Sequence, residues 1–416
     1  MIRRLMAQAV GVAGVIATTG AVVAAHWDEF PTIVQREGAG PNGVQVERFL
    51  AALRSADPMV CQDVADAFGN FWWGDGTDAG VGELADRVAD ARARRDSIRR
   101  RITDPGVVAK LLETLEEANP CVRRVAAKML GQSIDVARQG VLAALGDDRP
   151  RVREAALLAL GVAEVPDTRE RIERAAGDPD PSVVAMAAWA LGEIEDPRSV
   201  PVVTRLLNHR SSAVQHSAIW ALGQIEDPKA VESVVPKLRD ADPVTRQLAA
   251  AALGDIESRK ATEPLLPLVE DSDVRVRLAA VRALGDIEDL KAAPALGRAL
   301  GDRSIEVRRA AASALGDLDD FKTAPKELVE ALGSSDLELR RNAAQALASI
   351  GDPTTAEALG ARIGDPDVET RRAIVEALAE MDHPNVARWL MRALKDEDAE
   401  VRKRAAEALG EHGKSH

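Results

Sequence analysis

Residues 182–197 read SVVAMAAWALGEIEDP and residues 213–228 read AVQHSAIWALGQIEDP. The two stretches lie 31 positions apart and carry a tryptophan, Trp189 and Trp220, in the same slot. Taking the Gly after each Ala-Leu pair as an anchor gives Gly131, Gly161, Gly192, Gly223, Gly254, Gly285 and Gly316. The series continues through Ala348 and Ala379, where Gly is replaced, and ends at Gly410. Successive gaps are 30, 31, 31, 31, 31, 31, 32, 31 and 31 residues, which makes ten copies of one unit. Periods of this length mark stacked-repeat architectures.

Each unit carries helix signals at fixed places. Twelve residues before the anchor stands Asn119, Asp180, Ser211, Asp242, Asp273, Ser304, Asp336, Asp367 or Asp398, and only Arg149 breaks the column. These side chains accept hydrogen bonds from the first free N–H groups of a helix. Pro120, Pro150, Pro181 and Pro243 follow at the first helical position, where a missing N–H costs nothing. Leu precedes the anchor in every unit, from Leu130 to Leu409, and Ala recurs two and five residues before it. That is one apolar face with small residues where helices must approach closely. The anchor Gly is expected to end the helix as a left-handed cap. A looser helix precedes each of these, often opened by Pro197, Pro228, Pro353 or Pro384. A helix pair of this kind buries its apolar face only by stacking on its neighbours. The expected fold is all-α, a right-handed solenoid of ten to eleven helix–turn–helix units over residues 105–410. Arg404, in a slot apolar in several inner units, suits an end cap.

Composition agrees. Hydrophobic residues make up 46% of the 416 positions, yet only 3% are aromatic and none is tyrosine, so the core is built from Ala, Leu and Val. The net charge of −13 argues against general nucleic-acid binding, which needs a basic footprint. At the N-terminus, Arg3 and Arg4 precede an uncharged run over residues 5–25, with Val23 and Ala25 as small residues before His26. This is the pattern of a secretory signal, and its length leaves an uncleaved anchor as the alternative. The expected location is periplasmic or otherwise extracytoplasmic, with membrane attachment only if the segment stays uncut.

The pattern D-x-x-x-x-V-R-x-x-A-A-x-A-L-G resembles HEAT repeats, in particular the short HEAT-like type named after phycobilisome lyases. The resemblance implies an Asp in the turn bonding to an Arg of a neighbouring repeat. The Asp column is Asp147, Asp178, Asp240, Asp271, Asp302, Asp365 and Asp396. The Arg column is Arg123, Arg153, Arg246, Arg277, Arg308, Arg340, Arg371 and Arg402. A second basic column, Arg309, Arg341, Arg372 and Lys403, lies opposite the core and is a possible surface for an anionic partner. Other relatives resemble deoxyhypusine hydroxylases, which hold a di-iron site on paired His-Glu motifs. No His-Glu dipeptide occurs here, and His26, His209, His216, His383, His412 and His416 are scattered. No catalytic residue, metal site or cofactor is expected. Gly74–Asp78 lacks the alternating ligands of a calcium loop and reads as a turn.

Upstream of the array, DPMVCQDVADAFG (57–69) fits the same template, with Gly69 as anchor 62 residues before Gly131. Residues 1–25 are read as the signal, 26–44 as a linker, 45–69 as a helix pair, 70–104 as an insert with a glycine-rich loop and a charged helix, and 411–416 as a disordered tail. Cys61 and Cys121, the only cysteines, fall on opposite flanks of the template helix and would face each other across adjacent units. With an even count and an export signal, a disulfide is expected.

Trp189 and Trp220 stand three residues before their anchors, in a slot held elsewhere by Lys128, Leu158, Ala251, Arg282, Ser313, Gln345, Glu376 and Glu407. In these two units the Arg column reads Val184 and Gln215, and the next position Ala185 and His216. Charge is removed where aromatic area is added, the composition of an interface centre. Trp189, Trp220, His216, Gln215 and Leu158 are therefore the candidate partner-binding patch; stacking of the two indoles as mere packing is the alternative. The expected function is an exported, non-enzymatic scaffold holding a protein or peptide on its concave face. An enzyme accessory or bilin-lyase-like protein acting in the same groove is the second reading.

Overall fold

A computed structural model describes residues 43–55, 102–318 and 320–412. The proposed signal, most of the linker, residues 56–69 of the proposed helix pair and most of the insert lie outside the described residues, as do Cys61 and residues 413–416. No strand occurs among the described residues. None of their helices is long and apolar enough to cross a membrane. The chain divides into two compact units, Met1–Ile194 and Glu195–His416.

In the first unit the helix Gly43–Ser55 and the helix Pro105–Thr114 both pack on α1 (Pro120–Gln132). The helices Ile134–Ala144 and Arg169–Ala175 precede α2 (Pro150–Ala163) and α3 (Pro181–Ile194), and α1, α2 and α3 pack in order. The second unit continues the pattern with α4 (Ser212–Ile225), α5 (Pro243–Asp255), α6 (Val274–Asp286), α7 (Ile305–Asp317), α8 (Leu337–Ile350), α9 (Val368–Ala379) and α10 (Ala399–His412), each packed on the next. Their partner helices are short. Val231–Val234 tightens into a 3-10 turn over Val235–Arg239 because Pro236 has no N–H to continue an α-helix, and Pro267 does the same within Leu266–Glu270.

The apolar face is buried as the period requires. Leu130, Leu160, Leu191, Leu222, Leu253, Leu284, Leu315, Leu347 and Leu378 are fully buried, and each such burial is worth about 2 kcal/mol. Leu409 in α10 is only half-buried, and a Cβ added at Gly410 would meet nothing within 4 Å. Arg404 pairs with Glu376 and Glu400.

The caps form as expected at Asn119, Asp180, Asp242, Asp273, Asp336, Asp367 and Asp398, each accepting from backbone N–H groups two or three residues on. Ser211 and Ser304 make no side-chain cap bond. The anchor glycine corrects the sequence reading. It does not end the helix: α4 runs two residues past Gly223, and the left-handed residue is Glu226 at φ 54°. Glu164, Glu195, Glu257, Glu288 and Asp320 take that conformation in other units, and a glycine, Gly351, does so once. The anchor is small because helices touch there. A Cβ on Gly254 would lie 2.9 Å from both Cα and Cβ of Ala283. At Gly223 it would lie 2.9 Å from the Cα of Ala252.

Candidate partner-binding surface and its charge ladders

In most repeats the turn before the second helix and the first turn of that helix are tied by one recurring device. Arg277 sends Nη1 back to the carbonyl of Asp271 in its own turn, at 2.9 Å. Its Nε and Nη2 fork onto Asp302 of the next repeat, at 2.7 and 3.0 Å. Asp302 in turn accepts the N–H of Ser304 at 2.8 Å, fixing the next turn. The same fork joins Arg246 to Asp271, Arg340 to Asp365 and Arg371 to Asp396, and, in the first unit, Arg153 to Asp178. Planar guanidinium suits this two-point match, and a lysine would not supply it. Burial works to raise the carboxyls of Asp178, Asp271, Asp302 and Asp396; the Arg fork and the backbone N–H outweigh it, and all four sit below the ordinary carboxylate range.

The second basic column is also paired, which corrects the expectation of an open anionic-partner surface. Arg309 forks onto Asp336 at 2.8 and 2.5 Å, Arg341 holds Asp367, and Arg372 forks onto Asp398 at 3.2 and 2.9 Å. These carboxylates are the N-caps of the following second helices, so one Asp serves as both cap and rung. Asp336 is brought down to about 2, first by the bond from Arg309. Lys403, 63% exposed and reached only loosely by Glu400 and Glu407, is the remaining cation of the column.

His216 occupies the same column. Its Nε2 lies 2.9 Å from Thr245 Oγ1 and 3.4 Å from the cap Asp242. Burial pushes the imidazole down, against Asp242, which favours the proton. Gln215 stands where an Arg does elsewhere and keeps half of its work. Its Nε2 donates to the carbonyl of His209 at 2.5 Å, while Lys237 donates to Oε1 at 3.4 Å. Replacing Arg by Gln therefore preserves the turn contact and removes a fixed charge.

The tryptophan slot divides between the units. In the second unit Trp220 is half-buried, while Ala251, Ser313, Gln345, Glu376 and Glu407 in the same slot are exposed. In the first unit Lys128, Leu158 and Trp189 are all buried. The Trp189 indole lies against Gly161 of α2, where a Cβ would collide with its six-membered ring. Leu158 and Trp189 are thus packed inside the first unit, which removes them from the exposed patch expected from the wheel. Gln215, His216 and Trp220 remain partly exposed in the second unit. Trp389, in the helix Val386–Ala393, packs on Gly360 in the same manner. Among the described residues no three His, Cys, Asp or Glu side chains gather as metal ligands.

A family model described as HEAT repeats matches residues 108–171, 168–236, 231–316, 294–369 and 356–416. The chain belongs to the HEAT-repeat family. Comparison with curated protein sequences finds no match. Among solved structures, this HEAT chain is similar to an engineered protein at 21% identity, covering 74% of this chain and 98% of that one, with a TM-score of 0.48. The complex of CpcE and CpcF of phycocyanin lyase from Nostoc is 23% identical, covering 59% and 94%, with a TM-score of 0.36. Human deoxyhypusine hydroxylase is 23% identical, covering 62% and 98%, with a TM-score of 0.28. These likenesses concern the repeat fold alone.

Cys121, in the first turn of α1, is disulfide-bonded. Its expected partner, Cys61, lies outside the described residues.

Proposed function

We propose that this HEAT array is an exported, non-enzymatic scaffold that binds a polypeptide on the solvent-facing side of the second helices of its second unit, centred on Trp220. The observation that carries the reading is the partly exposed Trp220 in a slot that the other repeats of the second unit fill with small or polar residues. Tryptophan is over-represented at the energetic centres of interfaces, where it offers a large apolar face with little entropy to lose. Around it, Gln215 replaces a fixed cation, and burial keeps His216 toward its neutral form. Further along, Arg246, Arg277, Arg340 and Arg371 of the inner column and Arg309, Arg341 and Arg372 of the outer one are consumed in rungs. Export is supported by the Cys121 disulfide, since such bonds persist in oxidising compartments.

Capture of partner from the exported fraction, with the intact chain as bait, tests the binding face. Trp220→Ala should abolish capture and cost much less stability than Trp189→Ala, whose buried indole is worth about 3–5 kcal/mol. Undiminished capture by Trp220→Ala would exclude this face. A preparation that carries a coloured chromophore would turn the reading toward a lyase-like role.

A further inference from the structure

One rung of the inner ladder has its arginine and lacks its acid. In α7, Arg308 is set as its neighbours are, with Nη1 donating to the carbonyl of Asp302 at 2.6 Å. That bond aims Nε and Nη2 at the next turn, where Arg277 and Arg340 meet Asp302 and Asp365. The residue in that place is Ser334. Its Oγ accepts the N–H of Asp336 at 3.1 Å, so the turn closes as in other repeats without a carboxylate. Among the described residues the Arg308 guanidinium makes no other hydrogen bond and no ion pair. The acids nearest it are engaged: Asp336 is forked by Arg309, and Glu306 bonds the hydroxyl of Ser304. A second guanidinium stands at the same turn, for Arg362 Nη2 lies 3.0 Å from where a Cβ on Gly333 would be. Arg362 is exposed and likewise makes no ion pair among the described residues.

We infer that Arg308, with Arg362 across the turn, binds a carboxylate supplied from outside, an Asp or Glu side chain of a partner polypeptide. The ligand class follows from the repeat itself, because the same fork in the flanking rungs is matched by an Asp carboxylate. Two N–H donors in one plane fit the two oxygens of a carboxylate, and charge-assisted bonds of this type are the stronger kind. The site lies at the turns, apart from the Trp220 slot, so either assignment can fail while the other stands.

The probe is acetyl-aspartate amide, titrated into the full chain labelled with nitrogen-15 arginine while the side-chain Nε–Hε resonances are followed. The resonances of Arg308 and Arg362 should shift saturably, and the shift of Arg362 should be lost in Arg308→Lys, which keeps the charge and loses the fork. Ser334→Asp places the carboxylate in the chain. It should raise the urea midpoint and weaken probe binding by about tenfold or more, the loss expected when hydrogen bonds to a charged group are no longer available. Absence of a saturable shift, or a shift that survives Ser334→Asp, would overturn the assignment. Equal response to inorganic sulfate would show a non-specific cation pair and overturn it as well.

Discussion

Replacing Gly254 and Gly410 by alanine separates two roles that a glycine near a helix end can have. In α5 the new Cβ at position 254 would stand 2.9 Å from Cα and Cβ of Ala283 and 3.1 Å from Asp286 Oδ2. Carbon atoms rest at about 3.5–4.0 Å, so α5 and α6 must part by roughly 0.6–1 Å or bend around the contact. Overpacking of this sort costs about 1–3 kcal/mol. Alanine recovers about 1 kcal/mol in helix propensity, leaving a net loss of up to about 2 kcal/mol. At Gly410 the same change meets nothing, and the propensity gain stands alone, at about 0.5–1 kcal/mol. A repeat array unfolds in parts, so the urea midpoint should be read together with amide exchange of α5 and α6. Expected are faster exchange in Gly254→Ala and a raised midpoint in Gly410→Ala. If both changes destabilise equally, the glycines act through left-handed backbone, and the close-approach argument is wrong.

Arg277→Ala should cost about 3–5 kcal/mol, because it leaves the Asp302 carboxylate buried without its fork. Asp302 has a folded value below its unfolded one, so its contribution is present above the unfolded value and lost on acidification. The difference between Arg277→Ala and the parent should shrink below about pH 4 in urea titrations. Asp286 works in the opposite direction. Its residue is exposed at the end of α6, but its carboxylate lies against Gly254, and burial first, then Glu257 and Asp317, push it up to about 6. The native state therefore binds more protons than the unfolded chain between about pH 4 and pH 6, and stability falls as pH rises through that window. Asp286→Asn should match the parent near pH 4 and exceed its melting temperature at pH 7; a parent that stays the more stable at pH 7 would remove the effect.

The repeat count and the buried Leu-Ala face are legible in the sequence because both are properties of single helices with a fixed period. The role of the anchor glycine is not legible there, for a physical reason. Glu164, Glu226, Glu257 and Glu288 carry the left-handed turn, and nothing in a glutamate announces that backbone. The clue lies in spacing, since Gly351, the one glycine with positive φ among the described residues, stands in the position of those glutamates. The outer Arg column looked free because its partners already had a role as N-caps; that Asp336, Asp367 and Asp398 serve twice follows only from the distance between repeats. Trp189 and Trp220 occupy one slot on the wheel, yet only the first is buried. A helix's own period says which residues share a face, and not what covers that face in each unit.

The most direct measurement places a photo-crosslinking amino acid at Ala251, the exposed slot one repeat after Trp220, and at the exposed Glu232 on the preceding helix Val231–Val234. With the intact chain and the polypeptide it captures, illumination should join the partner at position 251 and leave position 232 unreacted. Crosslinking at 232 in preference to 251 would contradict the assignment of the second-helix face as the binding surface.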